Sequence, residues 1–160
     1  MTTLADLQCA ILAEGSGWVG PITLHVVNFI ASNPFPRKFV YRGCSVRGKR
    51  GICKTSVEAT SVKRCGHNSL ANGTYLEYYC FQLVLMDPSL QSVYGVPTMR
   101  VSIWDAARAL LGMSAASFAS LDEIAQFQYV QNTLKEAPYC NVSFRVVGGV
   151  VSIQELAGYC

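Results

Sequence analysis

The chain has 160 residues, of which 51% are hydrophobic and 14% are charged, and it carries a formal net charge of +3. This length fits one domain, and the apolar composition supplies a packed core and excludes a disordered chain. The longest apolar runs fall short of the roughly 20 residues that a bilayer-spanning helix needs, so we expect no membrane association.

The first part of the chain predicts a helix and then a pair of strands. A short helix is predicted from Thr3 to about Ala13, since a threonine cap precedes an apolar stripe. The segment ITLHVVNFI is rich in β-branched and aromatic residues, which predicts a strand that NPFP at 33–36 ends. KFVY is the predicted partner strand, and it leads into a segment rich in cysteine and basic residues.

Two further strands are predicted after this segment. The turn residues Asn72 and Gly73 precede YLEYYCFQLVLMD, which predicts one long strand ended by Asp87-Pro88. In TMRVSIWD, apolar and polar positions alternate. One face of this strand should therefore enter the core while Arg100 and Trp104 face outward.

The last part predicts two helices and a hairpin. Asp105 is predicted to cap a helix through AARALLG. Ser114 or Ser117 is predicted to cap a second helix that runs to about Ala137. NVSFRVVGGVVSIQEL predicts a closing hairpin with Gly148-Gly149 at its turn. The whole order predicts a mostly β fold with helical cover and five or six largely antiparallel strands, which is compatible with a small closed barrel.

Basic residues are concentrated in one segment. Residues 1–36 contain no Lys or Arg, whereas residues 37–64 contain nine of the thirteen in the chain and a single acid, Glu58. This density favours a polyanionic partner, usually nucleic acid, although a solvated loop that only maintains solubility would have the same composition. The nine residues are Arg37, Lys38, Arg42, Arg47, Lys49, Arg50, Lys54, Lys63 and Arg64.

Three cysteines and a histidine stand within the basic segment. Cys44 and Cys53 form a loose pair with eight residues between them, and Cys65 with His67 form a tight pair with one residue between them. Structural zinc takes four such ligands as two pairs on turns, usually with two residues inside a pair, so this spacing is imperfect. Because the N-terminus lacks the basic start of a secretory signal, unligated thiols in a reducing compartment are the alternative. Cys80 could replace a ligand, but its apolar strand favours a buried thiol.

No catalytic constellation accompanies these residues. The sequence contains no glycine-rich phosphate loop, no GxSxG motif and no pair of carboxylates placed for acid–base chemistry. His25, the other histidine, lies in a predicted strand and is expected to be structural. We therefore expect that the protein is not an enzyme.

Several segments stand in a familiar order. TLADLQ precedes the strand ITLHVVNFIA, YRGC and KRC follow as two ligand turns, and VSIWDAARALLGMSAASFASL joins a strand to a helix that ends in Leu-Gly. Together they resemble the third DNA-binding domain of the replication protein A large subunit, over roughly residues 3–147. The resemblance implies a five- or six-stranded OB-fold barrel over residues 1–160 with a zinc-ribbon-like basic segment inserted at 41–74.

The resemblance also implies functional residues. Cys44, Cys53 and Cys65 match three zinc cysteines of the family, and His67 stands near the position of the fourth, so one structural Zn²⁺ is expected. Trp104, beside Arg100, matches an aromatic residue on which the family stacks a base; a lid over a helix or part of a protein interface is the alternative role for this residue. The chain departs from the family in a longer first ligand interval, a shorter and more apolar last hairpin, and an end at QELAGYC where the family continues into a helix.

Two functions follow from the resemblance, and both place the protein in the nucleus. The first is a module of a complex like replication protein A, acting in DNA repair, that contacts single-stranded DNA through the zinc-ordered basic segment and the Trp104 face. The second is an assembly domain that docks a small protein subunit, similar to the C-terminal OB domain of the shieldin complex of double-strand break repair, with DNA binding secondary. We expect the 160 residues to be an excised part of a longer protein. The predicted partner surface is Phe118, Leu121, Ile124, Phe127 and Val130.

Overall fold

The computed structural model describes residues 4–13, 17–31, 39–49, 51–57, 65–87, 98–136, 139–148 and 150–159. Within these ranges the chain is mostly β, and no helix there is long and apolar enough to span a bilayer. The helices are α1 (Leu4–Leu12), α2 (Ser69–Asn72), α3 (Ala107–Leu111), α4 (Ala115–Ala119) and α5 (Glu123–Glu136). The strands are β1 (Gly17–Ile30), β2 (Val40–Cys44), β3 (Arg47–Gly48), β4 (Gly51–Ile52), β5 (Tyr75–Tyr79), β6 (Phe81–Met86), β7 (Thr98–Ile103), β8 (Tyr139–Val147) and β9 (Val150–Tyr159).

Five strands form the main sheet in the order β1-β6-β7-β9-β8, and β8 pairs in turn with β1, so the circuit of strands is closed. Neighbouring strands are antiparallel except β7 and β9, which run parallel and meet at Ser102 and Ser152. The predicted closing hairpin is present, with Val147 paired to Val150. A closed circuit leaves none of these five strands as an open edge.

Alternation along the strands sorts side chains between the core and the surface. On β7, Val101 and Ile103 are buried while Arg100 is exposed, and Trp104, directly after the strand, is exposed as the alternation predicted. The same period of two buries every second residue of β6 and β8. The resulting core lies inside the strand circuit, and α3, α4 and α5 add side chains to it.

A bulge in β1 changes which face Trp18 occupies. Gly20 and Pro21 stand opposite the single residue Ser143 of β8, so the alternation shifts by one residue at this point. Gly20 has φ +132°, and a Cβ there would lie 2.8 Å from the carbonyl oxygen of Val142, so only glycine fits. Trp18 therefore faces outward, although it has the same parity as the buried Ile22.

The strand boundaries near the insertion differ from the predictions. KFVY was predicted to pair with the first strand, but β2 pairs with β5 and forms a separate two-stranded sheet. YLEYYCFQLVLMD, predicted as one strand, divides at Cys80 into β5 and β6. The amide of Cys80 donates to the carbonyl oxygen of Phe39 at 2.8 Å, because the chain leaves the small sheet here and enters the main one. Asn72, predicted in a turn, ends the short helix α2, and Gly73 (φ +69°) caps it.

The helix caps are partly as predicted. Ser114 caps α4 by accepting a hydrogen bond from the amide of Ser117 at 3.2 Å. The predicted single helix is interrupted, because Asp122 begins α5 with its own cap, accepting from the amide of Ala125 at 2.8 Å. The prediction that Asp105 caps α3 is wrong, since the N-cap residue of α3 is Ala106 and the Asp105 carboxylate pairs with a lysine of the insertion.

The predicted partner surface mostly faces the core. Phe118 and Val130 have exposed fractions of 0%, and Leu121 and Phe127 are half-buried against the core. Ile124, by contrast, is 72% exposed. The apolar stripe thus holds the helices on the strand circuit, and of its five side chains Ile124 alone presents most of its surface to solvent.

The burial of Phe118 predicts a large effect on stability. Its ring contacts those of Phe39, Tyr79 and Tyr129 at centroid distances of 5.5, 5.6 and 6.3 Å. Phe118→Ala should lower the free energy of unfolding by about 3–5 kcal/mol in urea denaturation, because it leaves a cavity. Ile124→Ala, the matched control, should change it by less than about 0.5 kcal/mol. Equal effects of the two variants would contradict this packing.

Candidate metal centre and the surface beside it

The four predicted ligands come together in space. The Sγ atoms of Cys44, Cys53 and Cys65 and a ring nitrogen of His67 all lie within 4.8 Å of one another. Around a tetrahedral ion with metal–sulfur distances of about 2.3 Å, neighbouring ligand atoms are about 3.8 Å apart. Cys44 Sγ and His67 Nδ1 are already 3.4 Å apart. The four side chains could therefore hold one metal ion.

Backbone hydrogen bonds place Cys44 and Cys53 side by side. The amide of Cys44 donates a hydrogen bond to the carbonyl oxygen of Thr55 at 2.8 Å. The amide of Lys54 donates one to the carbonyl oxygen of Cys44, also at 2.8 Å. The amide of Cys53 donates to the carbonyl oxygen of Val46 at 3.0 Å. Between the two cysteines the chain forms the β3–β4 hairpin. This hairpin accounts for the long interval between the first two ligands.

A tight turn brings Cys65 and His67 to the same ion position. Gly66, the residue between them, has φ +78°, a conformation that L side chains rarely adopt. Helix α2 follows at once, and its first residue, Ser69, is buried and donates to Cys44 Sγ at 2.8 Å. Ser69 was not predicted as part of the site. Its position two residues after the last ligand is the signal that could have identified it.

The thiols differ in their tendency to ionise. Hydrogen bonds from the side chain and backbone of Thr55 lower the pKa of Cys53 to about 6. The backbone amide of His67 lowers the pKa of Cys65, but desolvation and hydrogen bonds with the thiols of Cys44 and Cys53 outweigh it, so the net shift is upward. Since ionised sulfurs at this distance repel one another, a bound cation would stabilise all three thiolates together.

Cys80 is not a member of the cluster. Its side chain is buried, and this burial raises the pKa of its thiol to about 11. A thiol that holds its proton so firmly is a poor metal ligand near pH 7. The preference for a buried thiol at this position is confirmed among the described residues.

The basic residues are not equally available to a ligand. Arg37, Lys38, Arg50, Lys63 and Arg64 lie outside the described residues. The side chains of Arg47 and Lys49 are exposed on the β3–β4 hairpin, and that of Arg100 is exposed on β7.

Two cations of the insertion take part in ion pairs. Arg42 Nε lies 3.3 Å from Glu77 Oε1, and its guanidinium lies 5.6 Å from the ring centroid of Tyr75. Lys54 Nζ pairs with the carboxylate of Asp105 and lies 5.6 Å from the ring centroid of Tyr78. The first pair holds β2 and β5 together, whereas the second joins the insertion to the residue that follows Trp104.

Trp104 is exposed and contacts the insertion. Its exposed fraction is 41%, and its ring meets that of Tyr41 edge-on at a centroid distance of 6.3 Å. The Tyr41 hydroxyl donates to the carbonyl oxygen of Lys54 at 3.0 Å, and Lys54 directly follows the ligand Cys53. Trp104 therefore contacts a segment that is directly joined to the Cys/His cluster.

A close approach of two strands supports this contact. A Cβ on Gly43 would lie 2.7 Å from the Tyr78 ring and 2.9 Å from the carbonyl oxygen of Lys54. Glycine is therefore required where β2 passes beneath the tyrosine. A side chain at this position would push the ring of Tyr78 and the backbone of Lys54 away from β2.

Comparison with known proteins adds no family assignment. The sequence matches no protein-family model, and a search of curated proteins finds no match. The chemistry of the site is therefore assigned from its own residues and geometry.

The cluster predicts one bound metal ion per chain. Elemental analysis of purified protein should give about one equivalent, and Cys65→Ser should lose most of it because a serine hydroxyl is a poor ligand for soft metals. Cys9→Ser, at an exposed position on α1, is the matched control and should keep the full equivalent. Metal-free wild-type protein, or full occupancy in Cys65→Ser, would contradict the site.

The contacts of Trp104 predict that metal removal changes its environment. The sequence has two tryptophans, so Trp18→Phe leaves Trp104 as the single indole and Trp104→Phe leaves Trp18. Chelation should shift the emission of the Trp18→Phe protein to longer wavelength, because Tyr41 and Lys54 of the insertion loosen from Trp104 and Asp105. The Trp104→Phe protein should show little change. The prediction fails if both proteins respond equally while circular dichroism shows the main sheet intact.

Proposed function

We propose that the protein is a non-enzymatic OB-fold module that binds single-stranded DNA through a zinc-ordered basic insertion and an adjoining aromatic strand face. Two observations carry this proposal. The side chains of Cys44, Cys53, Cys65 and His67 converge in the insertion. Lys54, which directly follows Cys53, forms an ion pair with Asp105, which directly follows Trp104. Metal, cations and aromatic ring thus belong to one connected surface.

The strand order supports the OB-fold. Numbered within the circuit alone, β1, β6, β7, β8 and β9 are strands one to five, and they pair in the order 1-2-3-5-4-1. The helices α3 to α5 lie between strands three and four. OB-folds bind oligonucleotides on the face of strands two and three and with the loops that join strands one to two and four to five. Here the first of these loops is the insertion, the exposed Arg100 is on strand three, and the exposed Trp104 directly follows that strand.

The donor set favours zinc. Three thiolates and one imidazole match structural sites of the Cys₃His class, and soft sulfur ligands disfavour magnesium and calcium. The four ligands would close the coordination shell, so the ion would stabilise the fold of the insertion and leave no position open for substrate. At neutral pH the low pKa of Cys53 already favours the ionised ligand.

Each part of the surface has a distinct role in binding. Trp104 supplies a face for base stacking, which contributes about 1–3 kcal/mol per base and accepts any base. Arg47 and Lys49 contact phosphates from the β3–β4 hairpin, and release of counterions makes the affinity depend on salt. Arg42 and Lys54 act through their ion pairs, fixing the small sheet and its attachment to the strand circuit.

A second function is favoured by one observation. Val147 and Val150, at the tip of the last hairpin, have exposed fractions of 51% and 71%. This apolar tip, with Ile124, would suit an assembly domain of the shieldin type that docks a small protein subunit. A nuclear location and a role in DNA repair belong to both proposals, since both derive from the resemblance to replication protein A.

A titration tests the first proposal against the second. A fluorescent 30-mer of single-stranded DNA should bind with a dissociation constant that rises steeply with salt, and Trp104→Ala should raise that constant by about five-fold or more. Arg47→Gln combined with Lys49→Gln should reduce the slope of log K against log salt by about 1.4. Lys135→Gln on α5 is the control for lost charge. Absence of binding at low salt, together with stoichiometric co-purification of a small protein, would favour the assembly domain instead.

A further inference from the structure

A row of side chains crosses the outer face of the main sheet. Each member is the register partner of the next, so that neighbours lie on adjacent strands and face the same side. The row begins on β6, crosses β7, β9 and β8, and ends on β1. Its members in this order are Gln82, Ser102, Ser152, Arg145 and Trp18.

Trp18 at the end of the row is more exposed than Trp104. Its exposed fraction is 60%, against 41% for Trp104, and its partner Arg145 is also exposed. The β1 bulge at Gly20 is what turns this indole away from the core. A large aromatic face held outward on a strand, next to a guanidinium, is the kind of surface that nucleobases stack on.

The row meets the proposed DNA surface at β7. Ser102 precedes Trp104 by two residues, and both side chains face outward. Along this row three strand spacings of about 4.8 Å lead from Ser102 to Trp18, and Trp104 lies about 7 Å beyond Ser102, so the path between the two indoles is roughly 20 Å long. This distance lies within one OB-fold, whose sites cover about 4–16 nucleotides.

The chemistry between the two indoles is polar and cationic. Ser102 and Ser152 offer hydroxyl groups, and Arg145 supplies a positive charge, while the row itself contains no carboxylate. Two described acids lie beside the row: Glu155, which pairs with Ser143, and Asp105, which follows Trp104 and forms an ion pair with Lys54. Hydroxyl groups and a guanidinium are a poor match for an apolar protein surface. They are a good match for a single nucleic-acid strand, because they can donate hydrogen bonds to phosphates while its bases stack on the two indoles.

We infer that Trp18 is a second base-stacking platform, and that the single strand runs from Trp104 across Ser102, Ser152 and Arg145 to Trp18. This inference rests on the proposed function and extends it, because it assigns a path and a far end to the bound strand. The path turns away from the insertion, so its end at Trp18 does not require the metal-ordered hairpin.

The two tryptophans allow each end of the path to be measured separately. Trp18→Phe and Trp104→Phe each retain one indole, and unlabelled oligothymidine of 20 nucleotides serves as the probe. Stacking should quench the emission of both proteins, and added salt should reverse the quenching. Heparin, which has the charge but no bases, should bind without comparable quenching.

Affinity measurements test the same path independently of fluorescence. In an anisotropy titration, Trp18→Ala should raise the dissociation constant about five-fold or more. Arg145→Gln should lower the salt slope by about 0.7, as expected for one lost phosphate contact to a single strand. Lys135→Gln removes the same charge from α5, near the opposite end of β1, and should leave the slope unchanged. Thermal unfolding of each variant confirms that the fold is kept.

Different failures have different meanings. Quenching of Trp104 alone, with normal affinity in Trp18→Ala, would overturn the path while the proposed function stands. Absence of oligonucleotide binding in every protein would overturn both. A change of Trp18 emission with protein concentration and without DNA would assign this face to self-association and would overturn the inference.

Discussion

The convergence of four ligand atoms is the constraint on which the insertion depends. Among the described residues, the buried cluster beside the small sheet contains Tyr41, Tyr78 and Cys80, whereas the strand circuit encloses a much larger core. Burial of these three side chains offsets only part of the entropy lost when the described strands of the insertion are ordered. A metal ion held by Cys44 and its three partners would supply the missing stabilisation, as in other small domains with structural zinc.

A short chain of contacts joins the Cys/His cluster to the strand circuit. Lys54 directly follows Cys53. Its carbonyl oxygen accepts a hydrogen bond from the Tyr41 hydroxyl, and its ammonium group forms an ion pair with Asp105. Tyr41 and Asp105 in turn flank Trp104. The basic hairpin and the aromatic strand face therefore hold a fixed relation, although they belong to different sheets.

Local chemistry was readable from the sequence, whereas partnerships between distant segments were not. The four clustered side chains were predicted from residue types, spacing and the resemblance, and the outward face of Trp104 was predicted from strict alternation over six residues. The pairing of β2 with β5 and the division at Cys80 depend on where the insertion meets the circuit, which no local pattern records. The bulge at Gly20 reversed the parity that would have assigned Trp18 to the core. An apolar stripe at helical spacing was consistent with either a core or an interface, and the packing of Phe118 decides for the core.

Gly66 has a consequence for the search for homologous chains. Gly66, between Cys65 and His67, has φ +78°, a conformation that glycine adopts freely. Any other residue there would cost about 1–2 kcal/mol. Gly43 is equally constrained, by the tyrosine ring above it. A chain that diverged far in overall sequence would thus still keep Gly-Cys, then Cys after eight residues, then Cys-Gly-His after eleven more. This spaced pattern is a fingerprint that backbone conformation, rather than overall identity, would preserve.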